Sequence, residues 1–126
     1  MAIQISRIVP QLRTRNLDAS MAFYTGKLGF TVDFRYDDFY AGLRSGTNIV
    51  HLKLVDARDP SIDFVDRGEH FHLYFETADV ERVAAELKRQ GVPLVQDVHE
   101  TPWGTRECVI RDNEGHTLYF GQRSSG

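Results

Sequence analysis

Two stretches of the chain repeat one arrangement of apolar positions. Leu17, Met21, Tyr24 and Leu28 stand at i, i+4, i+7 and i+11, the stripe of an amphipathic helix. Asn16 is placed to cap its first turn, and Gly29 to stop it in the left-handed conformation that glycine tolerates. About sixty residues later Val80, Val83, Ala84 and Leu87 form the same stripe between an Asp79 cap and a Gly91 stop. A strand-like run precedes each helix and several short ones follow it. The chain therefore reads as α+β, with two tandem βαβββ modules near residues 7–55 and 70–122, and the polar, proline-containing segment 56–69 as linker.

The strands alternate with period two, which separates a face packed under the helices from a second face. In His70–Thr77 the expected core face is Phe71, Leu73 and Phe75, leaving His70, His72, Tyr74 and Glu76 on the other. In Ile49–Leu54 the split is Val50, Leu52 and Leu54 against His51 and Lys53. In His116–Gly121, Leu118 and Phe120 point inward and Tyr119 outward. A polar, aromatic-rich face on a curved sheet is a candidate ligand surface.

Composition narrows the function classes. One cysteine in 126 residues cannot form an internal disulfide, and no cysteine pair is available for a zinc knuckle. A reducing, cytoplasmic setting is expected. The opening run to Pro10 lacks a basic and apolar leader pattern, and no apolar run approaches the length of a membrane span. Fifteen Lys and Arg against 18 Asp and Glu leave a formal charge of −3, with the basic residues interleaved among acidic ones, so neither nucleic acid nor membrane is an expected partner.

Cys108 lies in a strand-like run without a nucleophile signature and is expected in the core. No glycine-rich loop joins a strand to a helix start, which disfavours nucleotide binding. His51 and His72 are the candidate metal ligands, on equivalent faces of two strands; Glu76, the nearest carboxylate on that face, stands roughly 13 Å from His72 along the strand, and Glu76 or water would complete the shell. His99 and His116 are expected in solvated loops. The aromatic set is more distinctive: Phe34 and Phe39 alternate with Asp33, Asp37 and Asp38, and the only tryptophan, Trp103, sits between Pro102 and Gly104. Aromatic faces beside carboxylates suit a flat or cationic organic ligand.

Val9-Pro10-Gln11-Leu12, Asn16–Tyr24, Lys27-Leu28-Gly29-Phe30 and Arg111–His116 together resemble the vicinal-oxygen-chelate superfamily of glyoxalases, extradiol dioxygenases, fosfomycin-resistance enzymes and bleomycin-resistance proteins. The resemblance runs from Ile8 to Gln122. Val32-Asp33-Phe34, Asp37-Asp38-Phe39 and Pro102-Trp103-Gly104 with Arg106-Glu107 are most similar to the bleomycin-resistance branch. It implies two modules curved into a cup with helices outside, each cup completed in a homodimer. The metal-ligand positions of the enzymes carry over to Val9, His51, His72 and Tyr119, of which Val9 cannot bind a metal and Tyr119 replaces a carboxylate. The branch also implies antibiotic resistance by sequestration in an aromatic, acidic groove without metal.

The expectation is therefore a dimeric small-molecule-binding protein rather than a catalyst, without cofactor. Phe34, Phe39 and Trp103 would stack on the ligand, and Asp37, Asp38 or Glu76 would supply charge, on a face shared with His72, Tyr74 and Tyr119. Two alternatives are a lyase, isomerase or extradiol-type dioxygenase using a divalent metal on His51 and His72, and a ligand-gated module that docks on another protein.

Overall fold

The computed structural model describes residues 2–124, which form two compact units divided between Asp59 and Pro60. The first holds β1 (Gln11–Thr14), α1 (Leu17–Ala22) running into a π-helical turn over Phe23–Lys27, β2 (Thr31–Tyr36), β3 (Tyr40–Ser45) and β4 (Asn48–Leu54). The second holds α2 (Ser61–Arg67), β5 (Leu73–Glu76), α3 (Val80–Arg89), β6 (Gln96–Glu100), β7 (Thr105–Arg111) and β8 (Thr117–Arg123). The sheet orders are β1-β4-β3-β2 and β5-β8-β7-β6, each with one parallel pair and two antiparallel ones. The tandem βαβββ reading thus stands, strand for strand.

Local chemistry sets the helix limits. Asn16 Oδ1 accepts from the Ala19 N–H at 3.0 Å and Asp79 Oδ1 from the Arg82 N–H at 3.1 Å, satisfying a donor that each first turn leaves open. Gly29 and Gly91 close the two helical segments at φ 78° and 77°. The first segment does not stay regular: Thr25 Oγ1 donates to the Met21 carbonyl at 2.8 Å, a back-bond that competes with the helical ladder where the turn widens. Tyr24 is nonetheless fully buried, edge-on to Phe23 and Phe30.

The core of the first unit is Leu12, Leu17, Tyr24, Leu43, Val50 and Leu52; that of the second is Ile62, Val80, Ala84, Leu87, Cys108, Ile110 and Leu118. Cys108 occupies the core position expected of it, and burial pushes its thiol up to about 11. No helix among the described residues is long and apolar enough to cross a membrane.

Four expectations need correction, the simplest being that His99 lies in strand β6 and not in a loop. The segment taken as linker contains α2, because Ile62 is buried in the second unit's core. Phe71 is half exposed rather than in the core: β5 begins only at Leu73, so the alternation does not extend back to it, and its ring lies against Tyr74 and Tyr119. His116 is not solvated. It is buried with Asp112, whose Oδ2 lies 2.8 Å from Nδ1 while Oδ1 accepts from the N–H groups of Glu114, Gly115 and His116. Polar residues in a short β7–β8 connection look solvated in sequence, but here one carboxylate folds the turn onto itself.

Candidate functional site

Register brings one set of polar and aromatic side chains together on the second sheet. Tyr74 stands opposite Tyr119, which stands opposite Val109; one step along, Glu76, Gly121 and Glu107 are in line. The alternate positions of β7 face α3, as the Arg106–Glu81 ion pair shows. Gly121 leaves a gap in this row, and the Tyr74 side chain lies in it; a Cβ at Gly121 would overlap the phenol. Across that gap Tyr74 Oη donates to Glu107 Oε2 at 2.7 Å, and Thr105 Oγ1 donates to the same oxygen at 2.9 Å.

Glu107 is only 3% exposed, so its carboxylate depends on those donors for part of the solvation it lost. The arrangement acts back on the phenols. Burial, then the hydrogen bond to Glu107, holds the Tyr74 hydroxyl up at about 12, and burial with the charges of Glu107 and Glu69 raises Tyr119. Tyr74 is therefore a fixed neutral donor.

Trp103 is carried into position by the β6–β7 connection. The Thr101 N–H donates to the Thr105 carbonyl at 2.8 Å, the two threonine hydroxyls meet at 2.7 Å, and Gly104 takes φ 88°. That closed turn leaves the indole 72% exposed. Trp103, Phe71 and Tyr119 wall an open cleft of about 480 Å³, with Glu107 and Glu69 as its carboxylates and His70, His99, Gln96 and Thr101 as its other polar lining. No lysine or arginine is among the described residues that line it.

The first unit carries its own aromatic patch. Gln11 Nε2 donates to Tyr40 Oη at 3.0 Å, and Tyr40 Oη lies 2.9 Å from His51 Nδ1. Phe34 stacks on Tyr40, meets His51 edge-on, and lies over Gly42, where a Cβ would collide with its ring. Burial, then the charge of Arg7, lowers the His51 pKa against an opposing pull from Asp33. Phe39 is partly exposed against Tyr36. Asp37 forms the β2–β3 turn at φ 51°, and Asp38 pairs with Arg35 at 3.2 Å, as does Asp18 at 2.7 Å. Asp38 thus has a cation of its own within the unit.

Of the residues expected to hold a ligand, Trp103 and Tyr119 line the cleft and Tyr74 stands behind it. Glu76 is exposed on the same face, one register step from Tyr119. Phe34, Phe39, Asp37 and Asp38 belong to the other unit. His72 does not join the Tyr74 face: it precedes β5, its ring lies edge-on to His116, and its Nε2 is 3.1 Å from Ser61 Oγ. The cleft adds Glu107, Glu69 and Gln96, which were not among the expected site residues, and Phe71, which was expected in the core. The Thr105-x-Glu107-x-Val109 spacing, which puts Glu107 on the face of Val109, was the available signal.

Val9 lies ahead of β1, and the residue opposite His51 is Gln11. His72 Nδ1 accepts from the Thr117 N–H at 3.1 Å, so in the neutral ring Nε2 carries the proton that faces Ser61, and no ring lone pair is left for a metal. Tyr119 is a phenol held above its ordinary pKa. Among the described residues no group of three or more His, Cys, Asp or Glu is placed to hold a metal ion. Of the four expected metal positions, Val9 has no ligating side chain and both ring nitrogens of His72 are engaged, while His51 Nε2 is buried without a hydrogen-bond partner among the described residues.

A family model described as the Glyoxalase/Bleomycin resistance protein/Dioxygenase superfamily matches residues 4–120. No curated protein matches the chain. Similar solved structures include a glyoxalase/bleomycin resistance protein/dioxygenase from Alicyclobacillus acidocaldarius, with 19% identity, 94% of this chain and 91% of that one covered, and a TM-score of 0.78. The bleomycin-binding protein of bleomycin-producing Streptomyces verticillus, solved with copper(II)-bleomycin, has 24% identity over 99% of each chain and a TM-score of 0.74. A lactoylglutathione lyase from Agrobacterium tumefaciens has 21% identity over 94% of each chain and a TM-score of 0.72. At these identities the likeness is one of fold.

Proposed function

The chain belongs to the glyoxalase/bleomycin resistance protein/dioxygenase superfamily, and from that premise we propose that it is a metal-independent binding protein that sequesters a flat or cationic organic molecule. The observation that carries this reading is the cleft of the second unit, where Phe71, Trp103 and Tyr119 surround the buried Glu107 carboxylate. A flat ring stacks on Trp103, and the carboxylate favours a positive charge beside it. The unit offers no activated nucleophile: Cys108 is buried with a raised pKa, and the proton on His72 Nε2 points at Ser61, so that imidazole cannot take the Ser61 proton. Exposed Phe34 and Phe39 supply a second aromatic surface. In this reading two copies pair, with the groove at their interface.

Trp103 is the only tryptophan, so its fluorescence reports the site directly. Protein treated with EDTA is titrated with metal-free bleomycin and with simple bicyclic heteroaromatic amines. At least one is expected to shift or quench the Trp103 emission with saturation, and Trp103→Ala to weaken binding about tenfold or more by calorimetry. Binding that vanishes on chelation and returns with a divalent ion would overturn the metal-independent reading in favour of a metal-dependent enzyme; no binding by any probe would leave a protein-docking module as the better account.

A further inference from the structure

We infer that Glu107 is a specificity-determining residue that selects ligands bearing a protonated amine with an N–H to donate, over neutral or quaternary analogues of the same shape. The inference rests on the binding reading above and deepens it by assigning the charge-recognition point.

A carboxylate offers about four lone-pair sites over two oxygens. In Glu107 both protein donors, Tyr74 Oη and Thr105 Oγ1, land on Oε2, and Oε1 receives neither. The side chain is 3% exposed yet lines the cleft. A buried carboxylate is ordinarily matched by a cation, and the neighbour in sequence that could supply one does not: the Arg106 guanidinium is on the α3 face with Glu81 and, at 4.0 Å, Glu100. The other carboxylate of the cleft, Glu69, adds negative charge.

The aromatic walls cannot make this selection. Cation–π attraction to Trp103, Phe71 and Tyr119 accepts quaternary and N–H-bearing cations alike. An ammonium N–H can instead approach Oε1 at charge-assisted hydrogen-bond distance, whereas methyl groups hold a quaternary nitrogen farther off. Tyr74 and Thr105 are the positioning residues. By occupying Oε2 they fix the carboxylate rotation and leave Oε1 for the ligand.

The test is a matched series on the full chain by calorimetry at pH 8: 2-(2-naphthyl)ethylamine, its N,N,N-trimethyl derivative and 2-(2-naphthyl)ethanol, with Trp103 emission followed in parallel. The wild-type protein is expected to bind the amine about tenfold more tightly than either analogue. Glu107→Gln, which keeps shape and hydrogen bonding to Tyr74 and Thr105, should abolish the roughly tenfold preference for the amine over the alcohol. Equal wild-type affinity for amine and alcohol, with Trp103 quenched by both, overturns the inference while the aromatic binding site stands. Equal affinity for amine and quaternary cation overturns N–H recognition. Failure of all three probes to bind overturns the inference; failure of metal-free bleomycin and the heteroaromatic amines as well overturns the binding reading with it. If Glu107→Gln does not fold, the wild-type ratios decide alone.

Discussion

Tyr74 reaches Glu107 by lying in the gap left by Gly121, and its hydroxyl closes on Oε2 at 2.7 Å. Three strands meet in that contact: the phenol comes from β5, the gap from β8 and the carboxylate from β7. The missing side chain is what lets a residue one strand further away touch the acid.

Gly121→Ala is therefore expected to act on the site through Tyr74. The new methyl would overlap the phenol, which must swing away and abandon Glu107. Overpacking plus a lost buried hydrogen bond should destabilise the protein by about 1–3 kcal/mol in urea unfolding. In a Tyr74→Ala background the same substitution should be close to neutral. A full cost that persists there would sink the steric account.

Alkaline titration reads the same contact from the other side. A phenol ordinarily ionises near 10, and Tyr74 is held up at about 12, first by burial and then by the bond to Glu107. Between those values the unfolded chain has lost a proton that the folded chain keeps, so the stability this group contributes is whole below about pH 10 and falls as pH rises to about 12. Ultraviolet titration of wild type against Tyr74→Phe should show, as the difference between them, one phenol that ionises at about 12. Glu107→Gln should bring it down only in part, because burial is the larger cause; an unchanged late phenol in Tyr74→Phe would refute the assignment.

Periodicity was enough to read the two modules because each helix carries its own stripe and caps: Asn16 and Asp79 accept the bonds their types promise, and Gly29 and Gly91 take the left-handed turn. Trp103 was legible for a related reason, since an indole between proline and glycine has no periodic core to join. Glu107 was not. Its strand, Thr105–Arg111, is largely buried on both faces and so shows no clean alternation. The spacing puts Glu107 on the face of Val109, but what makes it a site residue is register across three strands, which spacing within one strand does not encode. Phe71 and His72 depart from the expected faces because the alternation read from His70 begins three residues ahead of the strand, where backbone geometry no longer fixes the face.

The β7–β8 turn supports this register and rests on one carboxylate. Asp112 Oδ1 accepts three backbone N–H groups at 2.9–3.0 Å and Oδ2 holds His116 Nδ1 at 2.8 Å, both side chains being 1% exposed. Asp112→Ala takes the side-chain acceptor from four donors, of which the Glu114 and His116 groups are buried, and an unsatisfied buried donor costs more than a hydrogen bond gains. The expected loss is about 2–4 kcal/mol, measured by urea unfolding. Asp112→Asn should cost less, since its one carbonyl oxygen can still serve the backbone while its amide faces His116 and forces the other imidazole tautomer. Equal effects of the two variants would mean that the His116 contact, rather than the backbone clasp, carries the stability; a loss below about 0.5 kcal/mol for Asp112→Ala would dispose of the clasp altogether.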